Sequence, residues 1–134
     1  MWEDVLNKKI TDSRLASLWS RAVIAKYKRC PITGAVDGLQ AHHVIPKGRQ
    51  RRFALRWDIR NGCPLSADAH RRLHDGDLSV IRKVIDYIER RGDLEYLQSL
   101  KYKLKPDYLQ EIGLTEDEYR AKVKKELEEA IDGQ

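Results

Sequence analysis

The sequence predicts an α+β chain in which helix dominates, and three observations predict it. Apolar residues recur at helical spacing before residue 30 and again from residue 78 onward. A short strand-like stretch, Leu39 to Ile45, lies between glycine and proline punctuation. The segment from 46 to 66 is rich in turn formers and carries no long period of either kind. At 134 residues there is room for one compact domain, or for a small core with appended helices.

Residues 13–29 form the first helix of this reading. Asp12 or Ser13 is its N-cap, and Leu15, Leu18, Trp19, Ala22 and Val23 share one face. Cys30-Pro31 stops it, because proline disfavours a helical residue before it. Gly34 to Gly38 reads as a turn between short strands, and the strand 39–45 ends at Pro46 and Gly48. Lys47 to Arg60 is a basic loop with Phe53, Leu55 and Trp57 interleaved, Trp57 as a core anchor. Asn61-Gly62 is a turn dipeptide, and Pro64-Leu65 leads into a short helix over Asp68–Asp75, closed by Gly76. Leu78, Ile81, Val84, Ile85 and Ile88 mark a further helix, ended by Gly92. Leu94, Leu97, Leu100 and Leu104 predict another, stopped at Pro106. Thr115 to Glu118 is a capping-box pattern that opens the last helix, with Tyr119, Val123, Leu127 and Ile131 apolar.

Charge is unevenly placed. The net charge is +5, yet residues 1–80 hold 15 basic and 8 acidic side chains, and residues 81–134 hold 11 and 13. The window 41–60 alone carries six basic residues against one Asp. One surface is therefore expected to favour a polyanion. No apolar run approaches the ~18 residues of a membrane span, and the N-terminus has no basic and apolar leader pattern. Two cysteines, Cys30 and Cys63, make neither a disulfide framework nor a four-cysteine zinc site. A soluble, cytoplasmic protein with no membrane partner is the expectation.

All four histidines lie between positions 42 and 74. Any one alone reads as an ordinary hydrogen-bonded histidine. Together they say more. His70 and His74 stand at i, i+4 on a helix, so both rings leave one face and can share a metal ion. His42 and His43 are adjacent on a strand, where their side chains diverge. One of them can complete a three-histidine site while the other stays free to move protons. A neutral imidazole, with an unperturbed pKa near ~6.5, is the natural base at physiological pH. A metal with three protein ligands keeps open positions for substrate and water.

These residues resemble the HNH nuclease motif: His42-His43, then Asn61, then His70 with His74, approached by a helix, Cys30, a glycine turn and Leu39 to Pro46. The resemblance covers roughly residues 14–76 and is to the small, phage- or prophage-type members. It implies a ββα-metal (His-Me finger) core with a flanking N-terminal helix and a helical C-terminal tail. The expected organisation is an HNH domain over 1–76 and a helical extension over 77–134. The resemblance further implies that His43 is the general base and that Asn61 hydrogen-bonds His43 and fixes its tautomer. His42, His70 and His74 would bind one divalent metal, and the products would carry 5′-phosphate and 3′-hydroxyl ends. Three imidazoles favour Zn, Ni, Mn or Co over Mg, although Mg serves where phosphate oxygens and waters complete the shell. Many family members add a four-cysteine zinc knuckle. Here Cys30 remains, but Thr33, Ser66 and Ala69 stand at the other three positions, so no structural zinc is expected.

The implied partner is DNA, duplex or branched. Lys47, Arg49, Arg51, Arg52, Arg56 and Arg60 in the loop, with Arg71 and Arg72 beside the metal ligands, are the expected phosphate contacts. The helical tail offers a surface for a homodimer. The leading function is a metal-dependent DNA endonuclease. The alternatives are a non-catalytic DNA-binding module that keeps the fold, and a protein-interaction domain with a structural metal.

Overall fold

The computed structural model describes residues 9–48 and 51–133. Among them are six α-helices and one two-stranded antiparallel sheet, an α+β arrangement that corresponds to a ββα core with flanking helices. The first helix, α1 (Asp12–Tyr27), is capped one residue earlier than the sequence suggests. The Thr11 hydroxyl accepts from the Arg14 backbone N–H at 3.1 Å. It ends at Lys28, which adopts a left-handed conformation (φ 69°), so the stop precedes Cys30-Pro31.

Strand β1 (Gln40–His43) is shorter than the expected 39–45, because Val44 and Ile45 leave the ladder to meet Asn61. Its partner β2 (Gly62–Leu65) was not expected from the sequence. A four-residue run containing Pro64 gives little strand signal, yet a two-stranded sheet always has an outer edge on which proline is tolerated. No strand precedes the turn at Gly34 among the described residues, so the hairpin of the core is β1 with β2. The register pairs His42 with Cys63 and His43 with Gly62. Gly62 is required by close approach: a Cβ there would lie 2.3 Å from Val23 Cγ2 of α1.

Helix α2 (Ala67–His74) is capped by the Ser66 hydroxyl and completes the ββα unit. Helix α3 (Leu78–Arg91) follows, with Gly92 in the left-handed region as its stop. The expected helix through Leu104 divides in two. α4 (Leu94–Leu100) ends early, and Pro106 falls in the first turn of α5 (Lys105–Ile112), where a missing N–H costs nothing. α6 (Glu116–Asp132) opens on the capping box of Thr115 and Glu118.

Two apolar clusters hold these elements. The first joins Leu15, Leu18, Trp19, Ala22 and Val23 of α1 to Phe53, Trp57 and the Tyr119, Val123 and Leu127 face of α6. The second joins Cys30, Leu55, Cys63, Leu65 and Ala69 of the ββα region to Val80, Val84, Ile88 and Leu97. Both clusters draw residues from either side of position 76, so the tail helices close the core of the N-terminal part. Tyr119, Val123 and Leu127 of α6 are buried in the first cluster, while Leu78, Ile85, Tyr102 and Leu104 of the tail are exposed. No helix of the described residues is long and apolar enough to cross a membrane.

Candidate metal centre and active site

β1 and α2 bring His42, His70 and His74 together. One ring nitrogen from each lies within 4.8 Å of the others, and His70 Nε2 and His74 Nε2 are 3.0 Å apart. Metal–nitrogen bonds of about 2.0–2.1 Å place two neighbouring imidazole ligands roughly 3.0–3.4 Å apart, a spacing that His70 and His74 already have, with His42 close enough to join them. Gln40 Oε1 accepts from His70 Nδ1 at 2.5 Å, which leaves the lone pair of His70 on Nε2, facing His74. Burial, reinforced by the neighbouring imidazoles, drives the pKa of His42 down to about 4. Burial lowers His70 as well. Neutral imidazoles are what a metal requires.

His43 departs from this cluster. Its ring stacks on Trp19 of α1, with centroids 3.8 Å apart and planes 9° from parallel. Trp19 is fixed in turn by donating Nε1–H to the Asp58 carbonyl at 2.8 Å. His43 Nε2 is 2.9 Å from the Arg56 carbonyl, so Nε2 carries the hydrogen and Nδ1 is the acceptor. Burial holds the His43 pKa below its usual value, with the Lys47 and Arg56 charges adding to it, against the opposing pull of that carbonyl.

Asn61 does not make the expected bond to His43. Its side chain is fully buried and spent on the backbone: Oδ1 accepts from Ile45 N–H at 2.8 Å, and Nδ2 donates to the carbonyls of Ile45 at 2.8 Å and Leu55 at 3.2 Å. The physical reason is position. At the end of a tight 3-10 turn, Ile59–Asn61, the amide points into the fold and not along the sheet. It pins the carbonyl of Leu55, one residue before the carbonyl that holds His43.

The phosphate candidates also divide. Arg56 pairs with Asp12 at 3.4 Å, Arg60 with Asp58 at 3.4 Å, Arg71 with Asp68 at 2.7 Å and Arg72 with Asp77 at 3.0 Å. These four are not the unpaired cations that their sequence spacing suggests. Lys47 and Arg51 are exposed and Arg52 half-buried, and none of the three meets a carboxylate among the described residues. Arg49 lies outside the described residues. At the positions of a zinc knuckle, Cys30 Sγ accepts from Thr33 N–H at 3.4 Å and lies 3.8 Å from Ser66 Oγ. A small hydrogen-bonded cluster fills that space.

Four contributors escaped the sequence reading. Gln40 was within reach of it, since i and i+2 on a strand share a face and Gln40 precedes His42 by two. Trp19, the Arg56 carbonyl and Arg91 give no local signal. Arg91, at the end of α3, donates Nη1–H to the Gly62 carbonyl at 2.8 Å and Nη2–H to the Arg60 carbonyl at 2.7 Å. It thus clamps the residues on both sides of Asn61, while Asp93 holds its Nε at 2.9 Å.

A strand pair and a helix converge three histidines, with a fourth imidazole held apart, in a ββα arrangement. Residues 30–81, somewhat under half of the chain, match the family described as HNH endonuclease. No curated protein and no solved structure matches the chain.

Proposed function

We propose that this chain is a metal-dependent endonuclease that hydrolyses DNA phosphodiester bonds by a single-metal, general-base mechanism. The observation that carries the reading is the division of labour between two adjacent histidines: His42 joins His70 and His74, while His43 turns onto Trp19 with only Nδ1 uncommitted. In this mechanism His43 Nδ1 takes a proton from the attacking water. Burial favours its neutral form, and the Arg56 carbonyl keeps the proton on Nε2. Trp19 and Asn61 are positioning residues: one fixes the plane of the ring, the other fixes the backbone that supplies its carbonyl partner. His42, His70 and His74 would hold a divalent ion, which when bound would supply Lewis-acid stabilisation of the charge that develops on the phosphoryl group. Three imidazoles suit Zn, Ni, Co or Mn better than Mg. Lys47, Arg51 and Arg52 take strand phosphates, which position the substrate without reading its sequence.

The test is cleavage of supercoiled plasmid with each divalent metal, in parallel with metal titration. His43→Ala is expected to lose about 10²–10⁴-fold in rate and to keep its metal affinity. Absence of metal-dependent cleavage by the wild type, or full cleavage by His43→Ala, sinks the mechanism.

A further inference from the structure

A groove of about 730 Å³ runs between the end of α1 and the outer face of α3, lined by Tyr27, Lys28, Arg29, Pro31, Lys83, Asp86, Tyr87 and Arg90. It shares no residue with the histidine centre. Lys28 and Arg29 form one bank and Lys83 and Arg90 the other. Lys83 and Arg90 are seven residues apart on one helix, hence on one face and separated by about 10.5 Å along it. All four cations are exposed and pair with no carboxylate among the described residues, and a single acid, Asp86, stands among them.

Residues 81–134 carry more acid than base, and Arg91, Lys103, Lys105, Arg120, Lys122 and Lys124 are tied to carboxylates, while Arg82, Lys101 and Lys125 meet none among the described residues but lie outside the groove. The banks are also held rigidly. The guanidinium of Arg91 stacks 3.9 Å from the Tyr27 ring and 5.1 Å from the Tyr87 ring, so one side chain locks the α1 and α3 walls together. A preformed channel with cations on both sides and almost no acid is suited to a polyanionic strand.

We propose that this groove is a second phosphate-binding track, which holds the DNA backbone away from the scissile bond. The assignment rests on the nuclease reading above. It gives α3 a role beyond packing, because two of the four cations lie past the matched segment 30–81. Two separate tracks also make a longer footprint than the loop 47–60 alone provides.

The experiment measures binding of a labelled duplex over a salt series, with chelator present so that no cleavage intervenes. The Lys83→Ala/Arg90→Ala double variant is compared with wild type and with a charge-matched control, Lys9→Ala/Lys125→Ala. Removing one protein–phosphate interaction lowers the slope of log K against log [salt] by about 0.9. The groove variant is therefore expected to fall by about 1.8 in slope and on the order of tenfold in affinity, with metal titration unchanged and the control unaffected. A wild-type slope in the groove variant, with normal DNA binding by the wild type, overturns the track and leaves the nuclease reading standing. Failure of the wild type to bind DNA at all overturns both. Binding of anionic phospholipid vesicles through the groove, with DNA binding unaltered by the variant, also overturns it in favour of a membrane surface.

Discussion

The two halves of the proposed site are held by different means. The proposed metal half is partly solvent-facing: His42 and His70 are half-buried, His74 is exposed, and Gln40 orients His70 alone. The proposed base half is tied into the fold by more contacts, although His43 is itself half-buried like His42. His43 lies between Trp19 and the Arg56 carbonyl, and Asn61 is fully buried behind it with three side-chain hydrogen bonds. A ligand cluster tolerates an open setting because the ion itself draws the imidazoles into place. A base has no such organiser, so the fold must fix its orientation in advance.

The contrast is broken most strongly by exchanging its two losses. His74→Ala is expected to lose metal affinity and to recover part of its activity at high metal concentration. His43→Ala is expected to lose about 10²–10⁴-fold in rate that no metal concentration restores. Recovery of His43→Ala by added metal would assign His43 to the ligand set.

Asn61 gives the next effect, on stability as well as rate. Asn61→Ala strands the Ile45 N–H and two carbonyls in the interior, at about 1–3 kcal/mol for each unmet group, so a loss of about 3–5 kcal/mol is expected in urea unfolding. Asn61→Asp is expected to be no better, because its carboxylate would face the carbonyls of Ile45 and Leu55. A ligand-half variant such as His70→Ala should leave the urea midpoint of the metal-free protein nearly unchanged. Equal destabilisation by Asn61→Ala and His70→Ala would erase the distinction.

Trp19→Phe is a finer probe. It keeps an aromatic face for His43 and removes the bond to the Asp58 carbonyl, so about 1 kcal/mol of stability and a several-fold loss in rate are expected, with KM unchanged. The smallest effect lies furthest from the site. Hydrogen bonding to Arg120 holds the Asp12 carboxyl below its usual 3.8, and Lys105 then Arg120 hold Glu116 below 4.5. Because the folded-state values are depressed, the stabilisation is complete above the unfolded carboxylate range and fades as pH falls through the folded values. Asp12 is half exposed, so solvent screening keeps the contribution small. Arg120→Met should flatten the acid limb of a Tm-against-pH curve by a few degrees. An unaltered limb would place acid sensitivity elsewhere.

The legibility of these halves follows from sequence distance. His70 and His74 are four residues apart on one helix face, and His42 lies on the strand beside them, so the ligand set could be read from spacing and resemblance together. Asn61 could be read as a member of the motif, but its hydrogen bonds could not, since they run to Ile45 and Leu55 through a turn the sequence does not describe. Trp19 looked like any apolar residue of α1, and its indole N–H has no partner nearer in sequence than Asp58. The helical phases of α1, α3 and α6 were plain because caps and periodicity are local. β2 and the break between α4 and α5 were not, because Pro64 and Pro106 occupy places where an edge and a first turn accept what a chain interior refuses. Arg56 read as a free phosphate contact for a related reason, since Asp12 reaches it only after folding, whereas the partners of Arg60, Arg71 and Arg72 lie within five residues and were legible.

The Arg91 clamp bears on modularity. The matched segment stops at residue 81, yet the carbonyls flanking Asn61 are gripped from residue 91, and the ring of His43 rests on residue 19. A graft of residues 30–81 onto another scaffold would carry every histidine and leave behind the parts that aim one of them. Such a chimera should bind metal and hydrolyse poorly. The hydrogen bonds that aim the site therefore run from the cap at Thr11 to Asp93, and the apolar cluster around Trp19 extends the unit further, to Leu127.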